Sequence, residues 1–105
     1  MNKLKVGSDN YYKGKGVHRA SGEALGTVSS ASALIFLTSD AEEEALDDSE
    51  ITLSVVTGES PPAYAGTFPS TVSMTAGTQY TVRATITLSD GTKRIKDEVI
   101  TASRD

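Results

Sequence analysis

His18 is the only histidine in this 105-residue chain, and there is no cysteine. Nucleophilic catalysis needs a base beside its nucleophile. No serine lies in the G-x-S-x-G elbow that would present one. His18 stands between Val17 and Arg19 in a glycine-rich run and reads as an ordinary surface residue. Without cysteine, disulfides, thiolate metal sites and thiol catalysis are all removed, and the redox compartment stays open. The segment KGKG at 13–16 lacks the G-x-x-x-x-G-K-[ST] spacing, the preceding strand and the following helix of a phosphate cradle. It reads as a flexible basic arm.

Two further groups have the residue types for chemistry. Seven of the fourteen acids fall within 40–50, namely Asp40, Glu42, Glu43, Glu44, Asp47, Asp48 and Glu50. Hard cations take several carboxylate oxygens, but this stretch has neither the turn glycine nor the alternating Asp/Asn of a calcium loop. It reads as a solvated charge run, with a divalent ion or a basic partner as the functional alternative. Paired acids for glycoside hydrolysis want a cleft with aromatic platforms, and the chain has no tryptophan and two phenylalanines. Tyr11 and Tyr12 beside Lys13 and Lys15 could stack bases and neutralise phosphates. The net charge of −4 and isoelectric point near 4.9 argue against nucleic acid. The structural alternative places one tyrosine in the core and the other over an edge strand. No constellation of acid, base and nucleophile is present, so neither an enzyme nor a cofactor, metal or small-molecule substrate is expected.

The charge is unevenly spread. Residues 1–19 hold Lys3, Lys5, Lys13, Lys15 and Arg19 against Asp9, a net +4, whereas 40–50 hold −7. This asymmetry points to a head-to-tail contact between subunits. The candidate interface is then Tyr11, Tyr12, Lys13, Lys15 and Arg19 on one side and Glu42, Glu43, Glu44, Asp47 and Asp48 on the other.

The elements that would position these groups are strands. Length limits the chain to one domain, with a loosely packed or flexible N-terminal segment over 1–30 and a core over 31–105. Five of the nine glycines fall in the first thirty residues, where Leu4 and Val6 could make a short strand. SALIFLTS reads as a well-buried strand, and ITLSVVT alternates as a half-buried one. The acidic stretch between them reads as a solvated loop with room for one helical turn. GESPPAYAG reads as a connection because Pro61 and Pro62 cannot sit in a ladder, and a strand is expected within TFPSTVSM. From Tyr80 to Leu88 apolar and polar residues alternate, the period of a strand with one wet face. Asp90-Gly91 reads as a tight turn with positive φ angles. The return strand then brings Lys93, Ile95, Asp97 and Val99 to the inner face, where Asp97 is a conflict. Short strands separated by turn residues indicate an all-β, antiparallel sandwich of immunoglobulin-like type, with a small open barrel as the competing architecture. No apolar run approaches the ~18 residues of a membrane span. MNKLKVGSDNYYKGKG lacks an apolar signal core, as in a cytosolic product.

The order ALIFLTS, ITLSVVT, YAGTF and AGTQYTVRATITLSDGTKR resembles the small immunoglobulin-like modules of tailed-bacteriophage structural proteins, in particular the N-terminal module of baseplate upper proteins. The likeness is carried by Gly77, Tyr80, Val82, Ala84, Ile86, Asp90, Gly91 and Thr92 and spans about two thirds of the chain. The acidic insertion at 40–50 and the glycine-rich lead depart from it. The resemblance implies a non-enzymatic structural protein of tail, baseplate or head, located in the virion or in the host cytoplasm before assembly. Its partners would be other virion proteins or copies of itself. The alternative is an adhesion or carbohydrate-binding module of a larger surface protein.

Overall fold

The structure, a computed structural model, describes residues 3–14, 28–56 and 63–104. Among these there is no helix. The described residues form eight strands: β1 (Leu4–Lys5), β2 (Asn10–Gly14), β3 (Val28–Leu37), β4 (Ile51–Thr52), β5 (Ser54–Val56), β6 (Ala63–Phe68), β7 (Gln79–Leu88) and β8 (Lys93–Ser103). They make a five-stranded sheet in the order β1-β8-β7-β3-β4 and a three-stranded sheet in the order β2-β6-β5. All pairings are antiparallel except β1 with β8, which is parallel.

The alternation in Tyr80–Leu88 does what its period requires. Tyr80, Val82, Ala84, Ile86 and Leu88 are buried on one face of β7, beside Ala31, Ala33 and Ile35 of β3. From the other sheet come Tyr12, with 2 % of its surface exposed, and Phe68, with none, while Leu4 and Ala102 close the β1–β8 end. Burying each large side chain contributes roughly 1.5–3 kcal/mol, so this face is the principal source of stability.

The run ITLSVV serves both sheets. Ile51 and Thr52 pair with β3, then Leu53 turns inward, its N–H donating to Ala31 O at 2.9 Å, and Ser54–Val56 pair with β6. Leu53 is buried where the chain passes between layers. Gly66 of β6 leaves room for this passage, since a Cβ there would lie 3.0–3.1 Å from the Leu53 and Ile51 side chains and Thr52 O.

Several elements differ from the sequence reading. Strand β6 is AYAGTF, starting before the expected TFPSTVSM and stopping at Pro69, which cannot extend the ladder. The acidic stretch forms no helical turn. It returns along β3, with Ala45 bridging Phe36 and Leu46 N–H donating to Ile35 O at 2.9 Å. Glu43 and Asp48 take left-handed φ angles of 54° and 65°. Buried Ser49 anchors this return: its hydroxyl lies 2.7 Å from Leu46 O and 3.0 Å from Ile35 O, and accepts the Ile35 N–H at 3.3 Å.

The β7–β8 turn is one residue longer than a two-residue hairpin. Leu88 N–H donates to Thr92 O and Gly91 N–H to Leu88 O, and of the expected pair only Gly91 has positive φ, at 90°. Asp90 instead accepts the Thr92 N–H on its carboxylate at 2.9 Å. This three-residue loop, a type I turn closed by a left-handed glycine, pairs Arg83 with Asp97 and Thr85 with Ile95. A register shift of one residue exchanges the two faces of a strand. Lys93, Ile95, Asp97 and Val99 therefore point outward, and the expected conflict at Asp97 disappears.

Candidate interaction surfaces

The outer face of the five-stranded sheet carries a polar cluster centred on Arg83. The register brings Asp97 directly opposite Arg83, and the guanidinium donates to both carboxylate oxygens, Nε to Oδ1 at 2.8 Å and Nη2 to Oδ2 at 2.9 Å. Arg83 also pairs with Glu43 from the acidic return. Its guanidinium carbon lies 4.9 Å from the centre of the Phe36 ring, a cation–π arrangement. The hydrogen bonds from Arg83 hold the Asp97 carboxyl below its ordinary pKa. Those to Asp97 and Glu43 raise that of Arg83, whose side chain stays cationic.

This cluster explains why Phe36 is buried although it lies on the outer face. The acidic return folds over it, fastened by the Phe36–Ala45 bridge, by Glu43 on Arg83 and by a 3.0 Å hydroxyl contact between Thr38 and Thr81. The carboxylate of Asp40 shapes the turn by accepting the N–H groups of Glu42 and Glu44 at 3.0 and 3.1 Å. The backbone of this stretch is thus seated on the sheet, while Glu42, Glu44, Asp47, Asp48 and Glu50 remain exposed. Among the described residues, no group of three or more His, Asp or Glu is placed to hold a metal ion.

On the opposite flank the two adjacent tyrosines separate. Tyr12 is buried in the core, where burial first and the nearby Glu98 carboxylate second push its phenol pKa up. Tyr11 is 60 % exposed on the outer side of β2, beside exposed Lys13. Tyr11 and Lys13 can therefore meet a partner and Tyr12 cannot. Lys15, His18 and Arg19 lie outside the described residues.

The fold adds to the basic flank residues far away in sequence. The side chain of Asn10 binds the Lys5 backbone at 2.7 and 3.1 Å, tying β2 to β1. Strand β1 in turn lies along the end of β8. Of the eight described basic residues, seven (Lys3, Lys5, Lys13, Lys93, Arg94, Lys96 and Arg104) sit on or next to β1, β2 and β8. Arg83 is the exception. The acidic return lies at the other end of the same sheet, beyond β3. The parallel β1–β8 pairing sets Lys5 beside Ser103 at one end of β8, whereas Lys93, Arg94 and Lys96 stand at the other end of the same strand.

Among the described residues no helix is long and apolar enough to cross a membrane. No family model matches the chain, and no curated protein or solved structure shows significant similarity to it.

Proposed function

We propose that this chain is a non-enzymatic, immunoglobulin-like structural module that works by assembly, as a component of a phage or prophage particle. The observation that carries this reading is an uneven spread of charge: seven of the eight described basic residues lie on or next to β1, β2 and β8, sharing that flank with Asp9, Asp90, Asp97 and Glu98, while the acidic return stands beyond β3. Unevenly spread charge steers and orients the encounter with a complementary neighbour.

The topology supports the immunoglobulin-like part. With β2 to β8 taken as strands B, C, C′, D, E, F and G, one sheet is B-E-D and the other contains G-F-C-C′, the arrangement of that fold. Tyr80, at the start of the F-equivalent strand, accepts the Thr75 N–H on its hydroxyl at 2.8 Å. A tyrosine bonded to backbone a few residues upstream at this corner is a hallmark of such sandwiches. The phage assignment rests on the resemblance of the Gly77–Thr92 stretch and on the suitability of a rigid two-sheet body for a repeated lattice.

The test is composition. Particles purified from the producing cells after induction, analysed by quantitative mass spectrometry and immunogold labelling, are expected to contain the chain at a fixed copy number and a fixed position. Recovery of the chain solely in the particle-free fraction would count against the proposal.

A further inference from the structure

The acidic return is fastened to the sheet unevenly. Its second half is tied through backbone groups, by the Phe36–Ala45 bridge, by Leu46 N–H on Ile35 O at 2.9 Å and by the Ser49 hydroxyl on Ile35. Its tip, residues 40–44, is ordered mainly from within. Asp40 O accepts the Glu43 N–H at 3.1 Å, and the Asp40 carboxylate accepts the N–H groups of Glu42 and Glu44. Among the described residues, the side-chain contact that joins this tip to the sheet is the Glu43 carboxylate on Arg83 Nη2.

That contact works against two costs. Glu43 holds a left-handed φ of 54°, which its Cβ disfavours, and Asp40, Glu42 and Glu44 crowd like charge around it. The donor is also shared, since Nη2 serves Asp97 Oδ2 at 2.9 Å while Nε serves Asp97 Oδ1 at 2.8 Å. Asp97, bonded twice, is held below its ordinary pKa and so keeps its grip on Arg83 further into acid. Among the described residues, the charged groups facing Glu43 are Arg83 from β7 and Asp97 from β8, with Asp40, Glu42 and Glu44 from the return itself. The β3 side presents Phe36 and Thr38, which do not titrate.

We propose that residues 40–44 are an acid-released latch: with Glu43 ionised the tip is shut on Arg83 over the Phe36 ring, and protonation of Glu43 frees the tip and admits water to that ring. The Arg83–Asp97 pair stays closed through this step because Asp97 keeps both of its bonds. The anchors at Ala45, Leu46 and Ser49 hold the rest of the return in place. The open form presents an aromatic ring beside a guanidinium that has one bond fewer to satisfy. This goes beyond the assembly reading and does not depend on it.

The chain has two phenylalanines, Phe36 and Phe68. Fluorine NMR on protein labelled with para-fluorophenylalanine therefore gives one probe under the latch and one in the core. The change in each fluorine shift between light and heavy water reports water at that ring. As pH falls from about 7 to about 4, through the carboxylate range, the solvent shift of Phe36 in the wild type is expected to grow. That of Phe68, which is fully buried, should not change. In E43Q the latch is already released at neutral pH. Its Phe36 solvent shift should exceed the wild-type value by roughly two- to five-fold, the span of an exposed ion pair, and should be flat over the same pH range. E42Q removes an equal charge from the exposed neighbour and should behave as wild type. A wild-type Phe36 that stays as dry as Phe68 on acidification overturns the latch. So does an E43Q variant that keeps the wild-type pH response, or an E42Q variant as open as E43Q. Wetting of both rings together also overturns it, because that is global unfolding and not local release.

Discussion

The hydroxyl of Tyr80 provides the sharpest energetic test of the fold. Its ring is buried at the start of β7, and its oxygen accepts the Thr75 N–H at 2.8 Å from the connection that carries buried Val72 and Met74. Tyr80→Phe keeps the ring and its burial but leaves the Thr75 N–H without this acceptor. A hydrogen bond contributes about 0.5–1.5 kcal/mol net, and stranding a buried partner costs about 1–3 kcal/mol. Thr75 is itself exposed, so water partly replaces the lost acceptor, and a loss of about 1–2 kcal/mol is expected. For a domain of this size that lowers Tm by roughly 5–15 °C. Urea unfolding followed by circular dichroism should show a lower midpoint with an unchanged slope, because the surface exposed on unfolding does not change. Tyr11→Phe is the control, since Tyr11 is exposed and its change should stay within about 0.5 kcal/mol. If Tyr80→Phe is as stable as that control, the corner does not tie the connection to β7 and the reasoning fails.

Three further perturbations probe the elements that seat the surfaces. Ser49→Ala strands the buried Ile35 N–H and should cost about 1–3 kcal/mol in chemical denaturation, with loss of hydrogen-exchange protection along 45–50. Gly66→Ala forces a methyl group against Leu53, Ile51 and Thr52 O, an overpacking expected to cost about 1–3 kcal/mol; a variant as stable as wild type would show that β4 and β5 have room to spare. Tyr12 has its phenol pKa raised in the fold by burial and by Glu98. Its contribution is present below the unfolded value of about 10 and is lost as pH rises through the folded value. Tyr12→Phe should therefore flatten the alkaline limb of the stability–pH profile, and an unchanged limb would show that Tyr12 does not couple ionisation to unfolding.

How much of this was legible in the sequence varies with the range of the interactions involved. Strand β7 was readable because its period-two pattern meets a single inner face without exception from Tyr80 to Leu88. Strand β8 was not, because neither of its alternating sets is apolar: Ile95 and Val99 share a face with Lys93 and Asp97, while Ile100 and Ala102 share the other with Arg94, Lys96 and Glu98. Periodicity alone could not choose between them. The choice fell to the turn, where including Ser89 in the loop reverses every side chain. The acidity of residues 40–50 was plain, but their seating on Phe36 and Arg83 depends on partners up to forty residues away. Ser49 and Tyr80 gave no local sign of their roles, since each acts through backbone groups that only the fold brings near. The separation of Tyr11 from Tyr12 was foreseeable, because adjacent residues of a strand face opposite ways.

The register of β8 underlies the Arg83–Asp97 pair and the outward Ile95 and Val99. Nuclear Overhauser contacts between Hα atoms report it directly, because these hydrogens approach closely at the non-hydrogen-bonded pairs of an antiparallel ladder. The predicted contacts are Thr81 with Val99, Arg83 with Asp97 and Thr85 with Ile95. Contacts of Asp97 with Ala84 and of Ile95 with Ile86 would instead place a two-residue turn at Asp90-Gly91, return the charged and apolar faces of β8 to the opposite sides, and contradict the account.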